Sequence, residues 1–260
     1  MPAIETTDLT KQYGDTVAVA GLDLAVEHGT VFGFLGPNGA GKTTTMRMLT
    51  GLVRPTRGRA VVAGADVTDR DALRPRIGYL PEEPPLYDHA TAYEQLDYAA
   101  GLRDLPPEPA RERVERLLDR LDLSPEDAAT RIADYSKGMR QKVAYVQAIL
   151  HEPDVVFLDE PTSGLDPRAA RTLRDLVVDL ADGGTTVFLS THILPVVEDV
   201  ADDVGILYDG DLVAEGSPDD LKHRAETGEA RSLEDAFLEL TTDDAAAAGG
   251  EAADGERSDG

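Results

Sequence analysis

The octapeptide Gly36-Pro37-Asn38-Gly39-Ala40-Gly41-Lys42-Thr43 constrains the fold more than any other feature of this chain. Its pattern, Gly-x-x-x-x-Gly-Lys-Thr, works only between the end of a strand and the start of a helix. There the glycines let successive backbone N–H groups converge on the β- and γ-phosphates of a nucleotide. Lys42 adds a point charge, Thr43 offers a hydroxyl to Mg²⁺, and Thr44 extends the cradle onto the helix. The positive end of that helix points at the same phosphates. The flanks agree, since 31–35 reads as an apolar strand and Thr44, Thr45, Met46, Met48 and Leu49 lead a helix that stops at Gly51. The loop therefore predicts a nucleoside triphosphate, ATP, with Mg²⁺.

The rest of the chain alternates in the same style. Residues 4–9, 17–26 and 31–35 read as strands, with Gly14-Asp15 and His28-Gly29 as turns. Short strands follow at Val61-Val62 and over 77–80. The chain then becomes helical. Thr91 and Glu94 form a capping box before a helix ending near Gly101, and Val114, Leu117, Leu118 and Leu121 mark one buried helix face. Ser124-Pro125 starts another helix. Residues 83–150 thus form a mostly helical insertion. Apolar runs at 155–158 and 185–189 suit a parallel sheet covered on both faces, with Asp166-Pro167 capping the helix between them. Strands at 204–208 and 212–214 flank Asp209-Gly210-Asp211, a hairpin turn. Ser217-Pro218 and Ser232 begin two last helices. From 241 the chain lacks apolar residues larger than Ala, which predicts a disordered acidic tail over 241–260.

The strand at 155–158 ends in Asp159-Glu160. Ligands of open α/β sheets lie at such carboxyl ends. Asp159 is placed to hold the Mg²⁺ shell, and Glu160 to orient or deprotonate an attacking water. Three further motifs fall in order around this pair: Tyr135-Ser136-Lys137-Gly138-Met139-Arg140-Gln141, then Ser163-Gly164-Leu165-Asp166, then Ser190-Thr191-His192. Together with the glycine loop they resemble the nucleotide-binding domain of ABC transporters. The resemblance spans residues 1 to about 240. It implies a P-loop NTPase core of α/β class with a mainly parallel sheet, an N-terminal antiparallel β subdomain, a helical subdomain at about 83–150 and C-terminal helices at about 217–240. It also implies roles. Ser136 and Gly138 match the signature loop, which contacts the γ-phosphate on an opposite subunit. Asp166 matches the aspartate that touches the partner site. His192 matches the switch histidine, and Tyr13 the aromatic that stacks on adenine.

Two positions depart from the family's common form. Lys137 stands where a glycine is usual, placing a cation toward a partner's γ-phosphate. Glu82 stands where glutamine is usual, as a candidate Mg²⁺ ligand, with Glu83 adjacent. Both departures, with the segment 232–240, resemble the branch that works with separate, mostly export-type membrane permeases. The implied assembly is a head-to-tail dimer of this chain, attached through such a permease to the cytoplasmic face of the membrane. Soluble members that act on ribosomes, DNA or metal clusters fit less well. One such domain is present, and the interval between Lys42 and Ser136 is short and free of Cys.

Charge and targeting add exclusions. The chain has no cysteine, so disulfides and thiolate chemistry are excluded. No basic stretch precedes an apolar one near the N-terminus, so a cytoplasmic location is expected. The net charge is −25. No basic patch suits a phosphate backbone, and nucleic acid is not expected as a partner. Self-repulsion on this scale strains a compact fold in dilute buffer, whereas at roughly 1 M salt the Debye length falls to about 3 Å. The composition reads as halophilic. Thermal unfolding measured against KCl should therefore show stability rising steeply toward molar salt. Equal stability at low and molar KCl would contradict that reading.

Overall fold

The computed structural model describes residues 1–224, 233–235 and 237–238. The expected acidic tail and the helix start at Ser232 lie outside the described residues. No helix among the described residues is long and apolar enough to cross a membrane.

Two long strands open the chain, β1 (Ile4–Tyr13) and β2 (Thr16–Val26). β1 continues past Leu9, where the sequence reading ended it. Asp8 adopts φ 49°, the pairing register with β2 shifts between Thr6 and Leu9, and the strand bulges and goes on. β3 (Val31–Leu35) leads through the glycine loop into α1 (Lys42–Leu49). β4 (Arg57–Val62) and β5 (Ala65–Asp66) follow. β4 is longer than the apolar pair Val61-Val62 suggested, because its polar half pairs with β1 through Thr7–Arg59 and Thr10–Arg57. A single turn, α2 (Arg70–Leu73), is capped by Asp69 and was too short to show a helical period. β6 (Ile77–Leu80) closes this half.

Four helices form the insertion: α3 (Ala92–Gly101), α4 (Pro107–Arg120), α5 (Pro125–Ala128) and α6 (Lys137–Ile149). Both bonds of the Thr91–Glu94 capping box are present. Ser124 caps α5 and Ser136 caps α6. The chain returns with β7 (Val155–Asp159), α7 (Pro167–Asp182), β8 (Thr186–Thr191), α8 (Leu194–Val200), β9 (Asp203–Tyr208), β10 (Asp211–Gly216) and α9 (Pro218–Arg224). Asp209 and Gly210 both have positive φ, 47° and 91°, as a tight two-residue hairpin turn requires.

Two sheets result. One is antiparallel, in the order β2-β1-β4-β5. The other has six strands in the order β10-β9-β3-β8-β7-β6, all parallel except β10. Every residue of β3, β7 and β8 is buried, so both faces of this sheet are covered. On one face the Phe188 ring lies 5.4 Å from Phe32, 5.2 Å from Phe34 and 5.6 Å from Phe157. These rings pack with Met46 and Leu49 of α1 and with Ile4, Leu9 and Val19 of the antiparallel sheet. On the other face Val156, Leu158, Val187 and Leu189 join one core with Leu96, Val114, Val143 and Leu176. The helical subdomain is thus continuous with the back of the sheet.

Gly78 makes that junction possible. A Cβ there would sit 2.1 Å from the carbonyl oxygen of Ala148 in α6. Gly78→Ala should therefore destabilise the protein by roughly 1–3 kcal/mol, as overpacking does. Gly101→Ala, where a Cβ meets nothing within 4 Å, should leave stability equal or slightly higher. Thermal unfolding of the two variants checks the contrast.

Candidate nucleotide-binding site

The site grows from strand register. Leu35 of β3 lies opposite Thr191 of β8, and Ser190 of β8 lies opposite Asp159 of β7. Three parallel strands therefore end together, and the loops that follow them converge. Gly41 adopts φ 108°, and a Cβ there would lie 2.3 Å from the Ala18 carbonyl oxygen. No other residue fits, so β2 and the phosphate loop are locked together. The β9–β10 turn braces the loop from the other side, where Gly210 N–H donates to Ala40 O at 3.0 Å.

Lys42 is 6% exposed. Its ammonium donates to Gly36 O at 2.6 Å and Pro37 O at 3.2 Å, and lies 3.8 Å from Glu160 Oε1. Burial lowers its pKa, while the charges of Glu160, Asp159 and Glu82 oppose that shift. Thr43 Oγ1 donates to Asp159 Oδ2 at 3.0 Å. The other carboxylate oxygen of Asp159, Oδ1, is buried with no hydrogen-bond partner. Burial raises the pKa of Asp159; the hydroxyls of Thr43 and neighbouring Ser190 pull it down, and Glu160 and Glu82 push it up. The Ser190 hydroxyl lies beside the carboxylate without forming a well-directed bond.

Glu160 sits in the left-handed region, with φ 48°. A non-glycine residue there costs of order 1 kcal/mol and persists only where its surroundings hold it. Three groups do so. His192 Nδ1 lies 2.9 Å from Oε1, Thr191 Oγ1 donates to Oε2 at 2.9 Å, and the Glu160 N–H donates to Ser190 O at 2.8 Å. Thr191 stands inside the Ser190-Thr191-His192 motif, which gave it no role of its own. Its spacing carries no signal, because only the pairing of β8 with β7 brings it to Glu160.

The structure thus gathers Lys42, Thr43, Asp159, Glu160 and His192. The other candidates lie apart. Glu82 is exposed and contributes charge to Asp159 and Lys42 with no hydrogen bond or ion pair to either. Tyr13 is 48% exposed at the β1–β2 hairpin, with the Lys11 ammonium 4.8 Å from its ring centre. Ser136 accepts from Met139 N–H at 3.3 Å, and Asp166 accepts from Arg168 and Ala169 N–H at 3.0 Å, so both are helix caps. Those backbone bonds hold the Asp166 carboxyl below its usual pKa. The exposed Lys137 side chain folds back over Gly164, where a Cβ would lie 2.7 Å from its ammonium. None of these five has a hydrogen bond or ion pair to the gathered cluster among the described residues.

The donor set fits Mg²⁺. It offers a hydroxyl and one carboxylate with an unpartnered oxygen, both hard oxygen ligands, and leaves other positions to water and phosphate. No cluster of three acidic or histidine ligands occurs among the described residues. Asp159 also bears on stability. Its raised pKa means the fold disfavours the charged form, a cost fully present above the folded-state pKa and lost as pH falls below the ordinary carboxylate value. Asp159→Asn should therefore stabilise the nucleotide-free protein by roughly 1 kcal/mol at neutral pH, and the gain should vanish in acid. Unfolding followed from pH 7 to about pH 4 checks this.

Comparison with known proteins agrees with the geometry. The family model described as ABC transporter matches residues 19–163. The chain is 44% identical over 227 residues to the daunorubicin resistance ATP-binding protein DrrA3 of Streptomyces coeruleorubidus, covering 87% of this chain and 71% of that protein. A solved ATP-binding subunit of an ABC transporter superimposes with a TM-score of 0.85 at 34% identity, covering 92% of this chain and 99% of the other. The dimeric cassette MJ0796, from a bacterial ABC transporter, gives a TM-score of 0.76 at 25% identity, over 82% of this chain and 98% of the other. The chain belongs to the ABC transporter family, as an ATP-binding subunit and ATPase.

Proposed function

We propose that this chain binds and hydrolyses Mg-ATP at a head-to-tail dimer interface and thereby drives a separately encoded membrane permease, in the direction of export. One observation carries the reading: the Lys42–Glu160–His192 cluster beside the Thr43–Asp159 pair, with Ser136, Gly138 and Asp166 held away from it. In this reading one chain carries half a site and, elsewhere, the two helix starts that would complete another. The dimeric relative supports that arrangement.

The roles follow from position. Residues 36–44, through backbone N–H groups and Lys42, hold the phosphates. Tyr13 stacks on the base through the ring face that Lys11 leaves uncovered. Thr43 and Asp159 hold Mg²⁺, with the Glu82 charge nearby; the cation offsets phosphate charge and orients the reacting groups. Glu160 accepts a proton from the attacking water, held in place by Thr191 and His192. Ser136, Gly138 and Asp166 serve the partner's nucleotide, with Lys137 beside them.

The permease contacts the helical subdomain. Tyr87 and Tyr98 are 58% and 50% exposed and form an edge-on pair, with ring centres 5.6 Å apart. An exposed aromatic pair of this kind marks an interface. Export is supported by the likeness to a drug-resistance subunit.

Glu160→Gln should keep ATP binding and lower turnover by about 10²–10⁴-fold. For the native protein, turnover per subunit should fall on dilution as dimers separate. Constant turnover per subunit would contradict the shared site. Detergent-solubilised membranes should yield the chain together with a polytopic membrane subunit, and recovery of the chain alone would count against the transport reading.

A further inference from the structure

Gln141 closes the motif that runs from Tyr135 and lies outside the gathered cluster. It is 5% exposed. Its side-chain Nε2 donates to Pro161 O at 3.2 Å. A carbonyl can only accept, so the amide nitrogen must face it. Pro161 directly follows Glu160, and that neighbour gives the bond its interest.

Glu160 is gripped on its carboxylate by Thr191 and His192, and on its N–H by Ser190 O. Its left-handed backbone depends equally on where the chain leaves it. The exit is a tight turn. Ser163 N–H donates to Glu160 O at 3.0 Å, with Pro161 at the second position, where proline suits such turns. The turn does not anchor itself. Pro161 has no N–H to donate, and the Thr162 hydroxyl is buried with no hydrogen-bond partner. Among the described residues, the Gln141 amide supplies the side-chain hydrogen bond that ties residues 161–165 to another element.

The contact continues along α6. Lys137 and Gly138 lie one helical turn before Gln141, so the three share a face. A Cβ on Gly164 would lie 2.7 Å from the Lys137 ammonium, and a Cβ on Gly138 would lie 3.7 Å from Leu165 Cδ2. One face of α6 therefore backs the whole segment after Glu160, and Gln141 is its hydrogen-bonded point, placed nearest to Glu160 in the chain.

We propose that Gln141 is a positioning residue for hydrolysis: by holding Pro161 it fixes the turn after Glu160 and so aims the Glu160 carboxylate at the attacking water. The proposal rests on the reading of Glu160 as the proton acceptor and adds a residue that acts through it.

Gln141→Met keeps the side-chain volume and removes the donor. Turnover at saturating ATP should fall about 10–100-fold, since a misplacement of about 1 Å can cost roughly 10²-fold. ATP affinity, measured by displacement of a fluorescent nucleotide, should be unchanged. With binding intact and hydrolysis slowed, ATP should drive Gln141→Met into a dimer on size exclusion. In single-turnover measurements Gln141→Met should add little to the loss in Glu160→Gln, because both act through one carboxylate. Gln141→Glu, equal in size and without the donor when ionised, should lose turnover in the same way. It replaces Gln141→Met if thermal unfolding shows that variant unfolded.

Unchanged turnover overturns the proposal. So does ATP affinity that weakens in step with turnover, or failure to dimerise with ATP; either would make Gln141 a support of α6 alone. Losses that multiply in the double variant overturn it as well. Full turnover in Glu160→Gln would remove the proton-acceptor reading and this proposal with it. Turnover lost in Glu160→Gln but kept in Gln141→Met removes the proposal alone.

Discussion

The register of three parallel strands is the constraint on which everything else depends. β3, β8 and β7 are paired so that Leu35 faces Thr191 and Ser190 faces Asp159. Side chains alternate faces along a strand, so a slip of one residue would turn Asp159 into the opposite face and part it from Thr43. The register is fixed by burial. Phe32, Phe34, Phe157 and Phe188 must meet on one face while Val156, Leu158, Val187 and Leu189 meet on the other. Aromatic pairs of this geometry add about 0.5–1.5 kcal/mol beyond burial. The same contacts that build the core therefore aim the catalytic candidates.

The edge this register creates is held at a cost. Asp159 keeps an unpartnered buried oxygen, Glu160 occupies a left-handed backbone conformation, and Lys42 is buried at the expense of its charged form. Each costs stability by itself and suits a site that binds ATP. The surrounding structure holds these groups in place. Gly41 is pressed against Ala18, Gly210 bonds to Ala40, and Thr191 and His192 grip Glu160. Donors held in place before binding are what electrostatic stabilisation of a charged ligand requires.

A second continuity runs away from the nucleotide edge. The back of the parallel sheet and the helical subdomain share one core, and Gly78 lets α6 press directly on β6. Tyr79, the next residue, lines a groove on the flank together with Arg70, Arg74 and Arg103, and its hydroxyl is pushed up to about 12 by burial and then by the charge of Asp159. One strand therefore reaches both the edge that holds phosphate-binding groups and the groove on the flank.

By itself, the sequence determined the phosphate loop, the apolar strands behind it, the capped helices of the insertion and the acids at the end of β7. Each is a local pattern: a glycine spacing, an alternation or a run, a cap residue before a helical period. Local patterns are legible because backbone conformation and burial depend on near neighbours. Only the tertiary structure decided that β1 bulges at Asp8 and runs to Tyr13, that α2 exists, that Thr191 supports Glu160, and that Lys137 lies over Gly164. It also decided that Arg70, Arg74 and Arg103 share one groove. These are meetings between residues far apart in the chain or features too short to have a period. Their cause is the pairing of strands and the close approach of helices, which no window of sequence contains.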